Sequence, residues 1–143
     1  MLESPGVALG FATRREYHAP METEASRPSL DRSRLSNAAI RHMTSFHSDV
    51  VSDVERAVAE HPVVVLGMAG NPHVKNVRRA LEAAGVTFHY LGYGGYLSKW
   101  RERLAIKLWS GWPTFPQVFV NGVLIGGEDL TVAALADGTI QHK

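Results

Sequence analysis

The sequence predicts an α/β fold: a four-stranded mixed sheet flanked by helices. Two observations carry this. The run Val63-Val64-Val65-Leu66, a helical repeat and a second apolar run form a β-α-β unit, whose right-handed crossover makes its two strands parallel. Further on, Asn121-Gly122 joins Val118–Val120 to Val123–Ile125. Asn-Gly is the strongest two-residue hairpin signal, because both positions of the tight turn require positive φ.

The elements follow in order. Residues 1–30 are rich in Pro, Ser, Glu, Arg and Thr without periodicity and read as a disordered or loosely attached extension. Residues 31–46, with Leu35, Ala38, Ala39, Ile40 and Met43, predict a short extra amphipathic helix. The compact domain then occupies 47–143. Ser48 is the expected N-cap of a helix carrying Val50, Val51, Val54, Ala57 and Val58 at helical spacing, ended by Pro62. After the first strand, Gly67–Gly70 is a loop. Asn71 is the N-cap and Pro72 the first residue of a second helix, which Gly85 stops. Val86–Leu91 is the second strand, Gly92–Tyr96 a glycine-rich turn, and Leu97–Trp109 a helix with a basic polar side from Lys99, Arg101, Arg103 and Lys107. The hairpin follows, then Gly126-Gly127, and Glu128-Asp129 open the last helix, where acids suit the dipole.

Composition narrows the function. The 143 residues carry a net charge of +1, so no overall field points to nucleic acid, and no apolar run reaches a membrane span. No secretory leader is evident, so the expected location is cytoplasmic. The chain has no cysteine, which excludes thiolate catalysis and Cys-ligated metal within it. The histidines have no HxxxH or HExxH spacing, so no metal site is expected.

The stretch Trp112-Pro113-Thr114-Phe115-Pro116-Gln117, followed by Gly126-Gly127, resembles the glutaredoxin family, specifically its single-thiol branch. The resemblance spans about residues 47–140 and implies the thioredoxin fold in its glutaredoxin form. It implies a cis peptide bond at Pro116 beside a glutathione-binding groove. Arg103 and Lys107 match the family's Arg-x-x-x-Lys helix and would meet a glutathione carboxylate. Trp112 would flank the site, and Phe115 would offer backbone groups to a peptide. Gly127 would start a helix whose N–H groups hold a carboxylate, with Asp129 facing the ligand's amino group.

The family places its nucleophilic cysteine where this chain has Asn71-Pro72-His73-Val74. Asn71 stands at the nucleophile position and Met68 near the family's lysine. The loop there is short, as in the two-thiol branch. The [2Fe–2S] cluster that single-thiol members share between subunits is not expected without that cysteine. His73 lies in the first helical turn, but no partner acid is evident beside it.

Three readings result. The first is a cysteine-less protein that has lost thiol–disulfide chemistry and binds glutathione, a related small anion or a peptide in the retained groove. The second is a structural or regulatory subunit docking on a partner enzyme, or a homodimer, through residues 31–60 or the groove. The third is a non-thiol enzyme using Asn71 and His73 at the helix N-terminus.

Overall fold

The computed structural model describes residues 27–141. The chain divides into two compact units, Met1–Ser36 and Asn37–Lys143. In the first, the described residues 27–36 are mostly exposed. They form one 3₁₀ turn, Arg32–Arg34, closed by the Asp31 carboxylate, which accepts from the backbone N–H and hydroxyl of Ser33. The extension predicted for 1–30 lies largely outside the described residues.

The second unit contains helices α1 (Asn37–Ser45), α2 (Ser48–Glu60), α3 (Pro72–Ala83), α4 (Trp100–Ser110) and α5 (Glu128–Ala136). Its strands are β1 (Val63–Gly67), β2 (His89–Gly92), β3 (Gln117–Val120) and β4 (Val123–Gly126). They form one sheet in the order β2-β1-β3-β4. β1 is parallel to β2 and antiparallel to β3, and β3 is antiparallel to β4. This is the predicted four-stranded mixed sheet flanked by helices.

β1 is buried along its whole length because its alternate side chains enter two cores. Val64 and Leu66 pack with Val50, Val54, Ile106 and Phe119, while Val63 and Val65 pack with Val77, Leu81, Val118 and Ala134. Helices α2 and α4 therefore pack together on one face, and α3 and α5 on the other. A continuous β-branched run suits a strand with no solvent side.

Several boundaries differ from the sequence reading, each for a local reason. α1 begins at Asn37 rather than at 31, and none of its residues is buried. At α2 the cap position belongs to His47, in a left-handed conformation (φ 45°), with its carbonyl accepting from Val50 and Val51; Ser48 is the first helical residue. β2 starts at His89 because Val86 is committed to ending α3. Its N–H donates to the Leu81 carbonyl while that of Gly85 donates to Glu82, the paired bonds of a Schellman stop. α4 starts at Trp100 because residues 95–98 close a turn: Ser98 N–H donates to the Gly95 carbonyl, and Gly95 N–H to the Ser98 hydroxyl. Asn121 and Gly122 both have positive φ, as the hairpin requires. Among the described residues no helix is long and apolar enough to cross a membrane.

Candidate functional site

Register alone brings three loops to one end of the sheet. Leu66, near the end of β1, lies opposite Gln117, the first residue of β3, and Val118 lies opposite Gly126 at the end of β4. The loop leaving β1 into α3, the loop entering β3 and the link from β4 into α5 therefore converge. A groove of about 800 Å³ opens between them and α4. It is lined by all nine residues singled out from the sequence: Asn71, His73, Arg103, Lys107, Trp112, Phe115, Pro116, Gly127 and Asp129.

Asn71 caps α3. Its side-chain oxygen accepts from the backbone N–H of His73 (2.8 Å) and Val74 (3.1 Å), with Pro72 at the first helical position. The Asn71 side chain thus satisfies two N–H groups at the start of α3 that have no partner within the helix. Met68, under the same loop, is buried.

His73 has a partner that sequence reasoning missed. Its Nδ1 lies 2.6 Å from Oε1 of Glu128, the first residue of α5. The bond joins the N-termini of α3 and α5 across 55 positions of sequence, so no local spacing signals it. The hydrogen bond from His73 holds the Glu128 carboxyl below its ordinary range; partial desolvation opposes the shift, while Asn76 and the His73 charge add to it. Asp129, next along α5, is exposed at the groove.

Arg103 is buried, with 8% of its surface exposed, and its Nη1 donates to the carbonyls of Tyr93 (2.8 Å) and Ser98 (2.7 Å). Tyr93 N–H donates in turn to Gly67, and Ala69 N–H to the Gly94 carbonyl. One guanidinium therefore anchors the segment that positions the loop before Asn71. Sequence alone presented Arg103 as part of a polar helix side; its fixed position is a tertiary effect. Lys107, one turn on, is half-buried, with its ammonium 5.9 Å from the Phe115 ring centroid.

The Phe115–Pro116 peptide bond is cis. The loop ahead of it is held by Gln117, which is fully buried and whose Nε2 donates to the carbonyls of Trp112 (3.1 Å) and Thr114 (3.3 Å). Gly126 needs to be glycine: its φ is +134°, and a Cβ would stand 2.6 Å from Leu130 Cδ1. Gly127 does not need to be: a Cβ there would meet the Pro116 carbonyl at 3.5 Å and Trp112 Nε1 at 3.7 Å, ordinary contact distances. Its missing side chain leaves space in the groove rather than relieving the fold.

Among the described residues no cluster of three or more His, Cys, Asp or Glu is arranged to hold a metal ion. A cysteine-ligated iron–sulfur cluster does not fit the residues present, since the sequence offers no cysteine to ligate it.

The sheet order, the two helical layers and the groove at the sheet's end define a thioredoxin-like fold of the glutaredoxin form. Comparison with known proteins agrees. The glutaredoxin family profile matches residues 63–125. A glutaredoxin-like protein from Dictyostelium discoideum is 51% identical over 98 residues, covering 68% of this chain and 80% of the relative. A monothiol glutaredoxin from Synechocystis sp. is 38% identical over 67 residues, covering 47% of this chain and 60% of the relative. Among solved structures, wheat glutaredoxin superposes with a TM-score of 0.57 at 28% identity, covering 65% of this chain and 86% of the other. The chain belongs to the glutaredoxin family, and it does so without a cysteine.

Proposed function

We propose that this protein binds glutathione, or a related small anionic peptide, in the groove at the end of its sheet and performs no thiol–disulfide exchange. The observation that carries the reading is the convergence of Arg103, Lys107, Trp112, Phe115, Pro116, Gly127 and Asp129 on one groove, although they come from three separate stretches of chain. The groove lining includes two cations, Lys107 and the backbone-bonded Arg103, and two acids, Asp129 and Glu128. A zwitterionic peptide with carboxylates and a free amine complements both. The α5 N-terminus adds N–H groups to the binding surface. At the position of a nucleophile there is only the capping Asn71, so the bound ligand's sulfur has no protein sulfur to react with. A cytoplasmic location, the reduced compartment where glutathione is abundant, belongs to the same reading, as does a domain of 47–143 preceded by an extra helix and an extension.

The non-thiol enzyme is the weaker reading, since the Asn71 oxygen is spent on the cap.

Calorimetric titration of the full chain with reduced glutathione tests the proposal. Saturable binding is expected, weakened about tenfold in Lys107→Gln, which removes one charge-assisted contact. Arg103→Ala is the poorer probe because Arg103 also holds the backbone. Absence of binding up to millimolar glutathione overturns the reading.

A further inference from the structure

A row of exposed apolar side chains runs along α4, away from both cores. Trp100, Leu104 and Leu108 are spaced four apart and so share one helix face; they are 54%, 36% and 70% exposed. Leu97, in the turn before the helix, is fully exposed, and Tyr96 is 63% exposed. The helical part of the row is about 12 Å long at 1.5 Å per residue. The opposite side of α4 supplies Ile106 to the core and Ala105 is buried beside it, so the helix is apolar on two faces and only one of them is covered. Contiguous exposed apolar surface of this kind marks interaction sites.

The charges around the row select the occupant. Lys99 and Arg101 are exposed beside it, Lys107 borders its other edge, and the Arg101 guanidinium stands 4.9 Å from the Trp100 ring centroid. A second copy of the chain, paired row to row, sets these cations against their equals. A flat anionic bilayer is disfavoured for a different reason. α2 packs beside α4 in the same layer and presents exposed Asp49 and Glu55, the latter accepting a hydrogen bond from Trp109 Nε1, while its Asp53 is paired with Arg56 at 3.3 Å. A wide anionic plane resting on α4 meets these acids; a narrow helix need not.

We infer that the exposed face of α4, from Leu97 to Leu108, docks an amphipathic helix of a partner protein whose apolar stripe is flanked by Asp and Glu. Apolar anchors at helical spacing seat on Trp100, Leu104 and Leu108, and the partner's acids meet Lys99 and Arg101. Tyr96, before the helix, lines the groove. The inference stands on the α4 surface and holds whether or not the groove takes glutathione.

The test is an NMR titration of the ¹⁵N-labelled full chain with a designed helical peptide whose leucine stripe is flanked by glutamates, against the same peptide flanked by lysines. The expected result is saturable shifts at amides of residues 97–108 with the acidic peptide, weakening as salt is raised. The lysine-flanked peptide should bind about tenfold more weakly or not at all. Leu104→Ser with Leu108→Ser should lower affinity about tenfold or more at unchanged melting temperature. Arg101→Glu, at an exposed position, keeps the test decisive should the serine pair perturb the fold, and should weaken binding of the acidic peptide. No stripe-localised binding of the acidic peptide, or equal binding of the basic one, overturns the inference. So does stripe-dependent co-sedimentation with phosphatidylcholine–phosphatidylglycerol vesicles, which assigns the face to a bilayer. Concentration-dependent dimerisation abolished by Leu108→Ser assigns it to a second copy and equally overturns it.

Discussion

The Asn71 oxygen accepts from two backbone N–H groups that have no partner within α3, so one side chain satisfies two orphan donors of the helix start. Asn71→Ala should therefore cost about 1 kcal/mol of stability, as other N-cap deletions do, whereas Asn71→Asp keeps the acceptor and most of the stability. Urea unfolding of the three proteins checks both. The His73–Glu128 bond makes a pH prediction. The folded carboxyl of Glu128 is held below its ordinary 4.5, so the bond's contribution is fully present above that value and is lost as pH falls through the lower folded value. In Glu128→Gln that part of the acid-induced loss disappears. Measuring unfolding free energy from about pH 6 down to about pH 3 should show a shallower acid limb in the variant; identical slopes would refute the role of the bond. Asn71 as a cap was legible from Asn-Pro alone, since both residues act locally. Glu128 as the partner of His73 was not, because only the β4–α5 link and the sheet register bring the two helix starts together.

At the scale of elements, the hairpin was legible because Asn121-Gly122 determines its own backbone conformation, while the ends of β2 and α4 were not. Val86 looks like a strand residue and Leu97 like a helix residue, yet each is claimed by a neighbouring turn: Val86 by the stop of α3, and Leu97 by the Ser98 turn that leaves its side chain in water. Hydrophobic periodicity reports a preference for burial, and a hydrogen-bonded turn overrides it at an element's edge. The Gly126-Gly127 pair illustrates two demands that look alike in sequence. Gly126→Ala must adopt φ near +134° against Leu130, and about 1–3 kcal/mol of destabilisation is expected. Gly127→Ala meets only ordinary contacts, so its melting temperature should stay near that of the parent. Its added methyl faces Trp112 and Pro116 in the groove, and glutathione affinity should fall. Thermal melts of the two variants, with calorimetry on Gly127→Ala, separate the fold's glycine from the groove's. A Gly127→Ala protein that binds as well as the parent would show that this space is not used.

For the whole molecule, the groove is a consequence of strand order. Once β1 pairs with β3 antiparallel and β3 with β4, three loops must open at one end; the β-α-β unit and the hairpin were legible in the sequence, whereas the pairing of β1 with β3 came only from the structure. That is why the residues chosen from separate stretches line one groove. What strand order does not convey is how the loops are fastened to one another. Arg103 does this work from α4. It is buried, and its Nη1 holds two carbonyls of the segment between β2 and α4, which in turn bonds to the loop that carries Met68 and Ala69 toward Asn71. Removing the guanidinium takes charge-assisted hydrogen bonds from the partly buried Tyr93 and Ser98 carbonyls, at a cost of about 1–3 kcal/mol. Arg103→Ala should accordingly lower global stability and also accelerate amide hydrogen exchange at Ala69 and Tyr93, whose N–H groups pair across the two loops. Lys107→Ala, one turn away and half-buried, should change neither while still weakening anion binding. If Arg103→Ala instead leaves both loops protected and the melting temperature unchanged, the guanidinium is a ligand-facing charge alone. The loops would then be held by the sheet register without it.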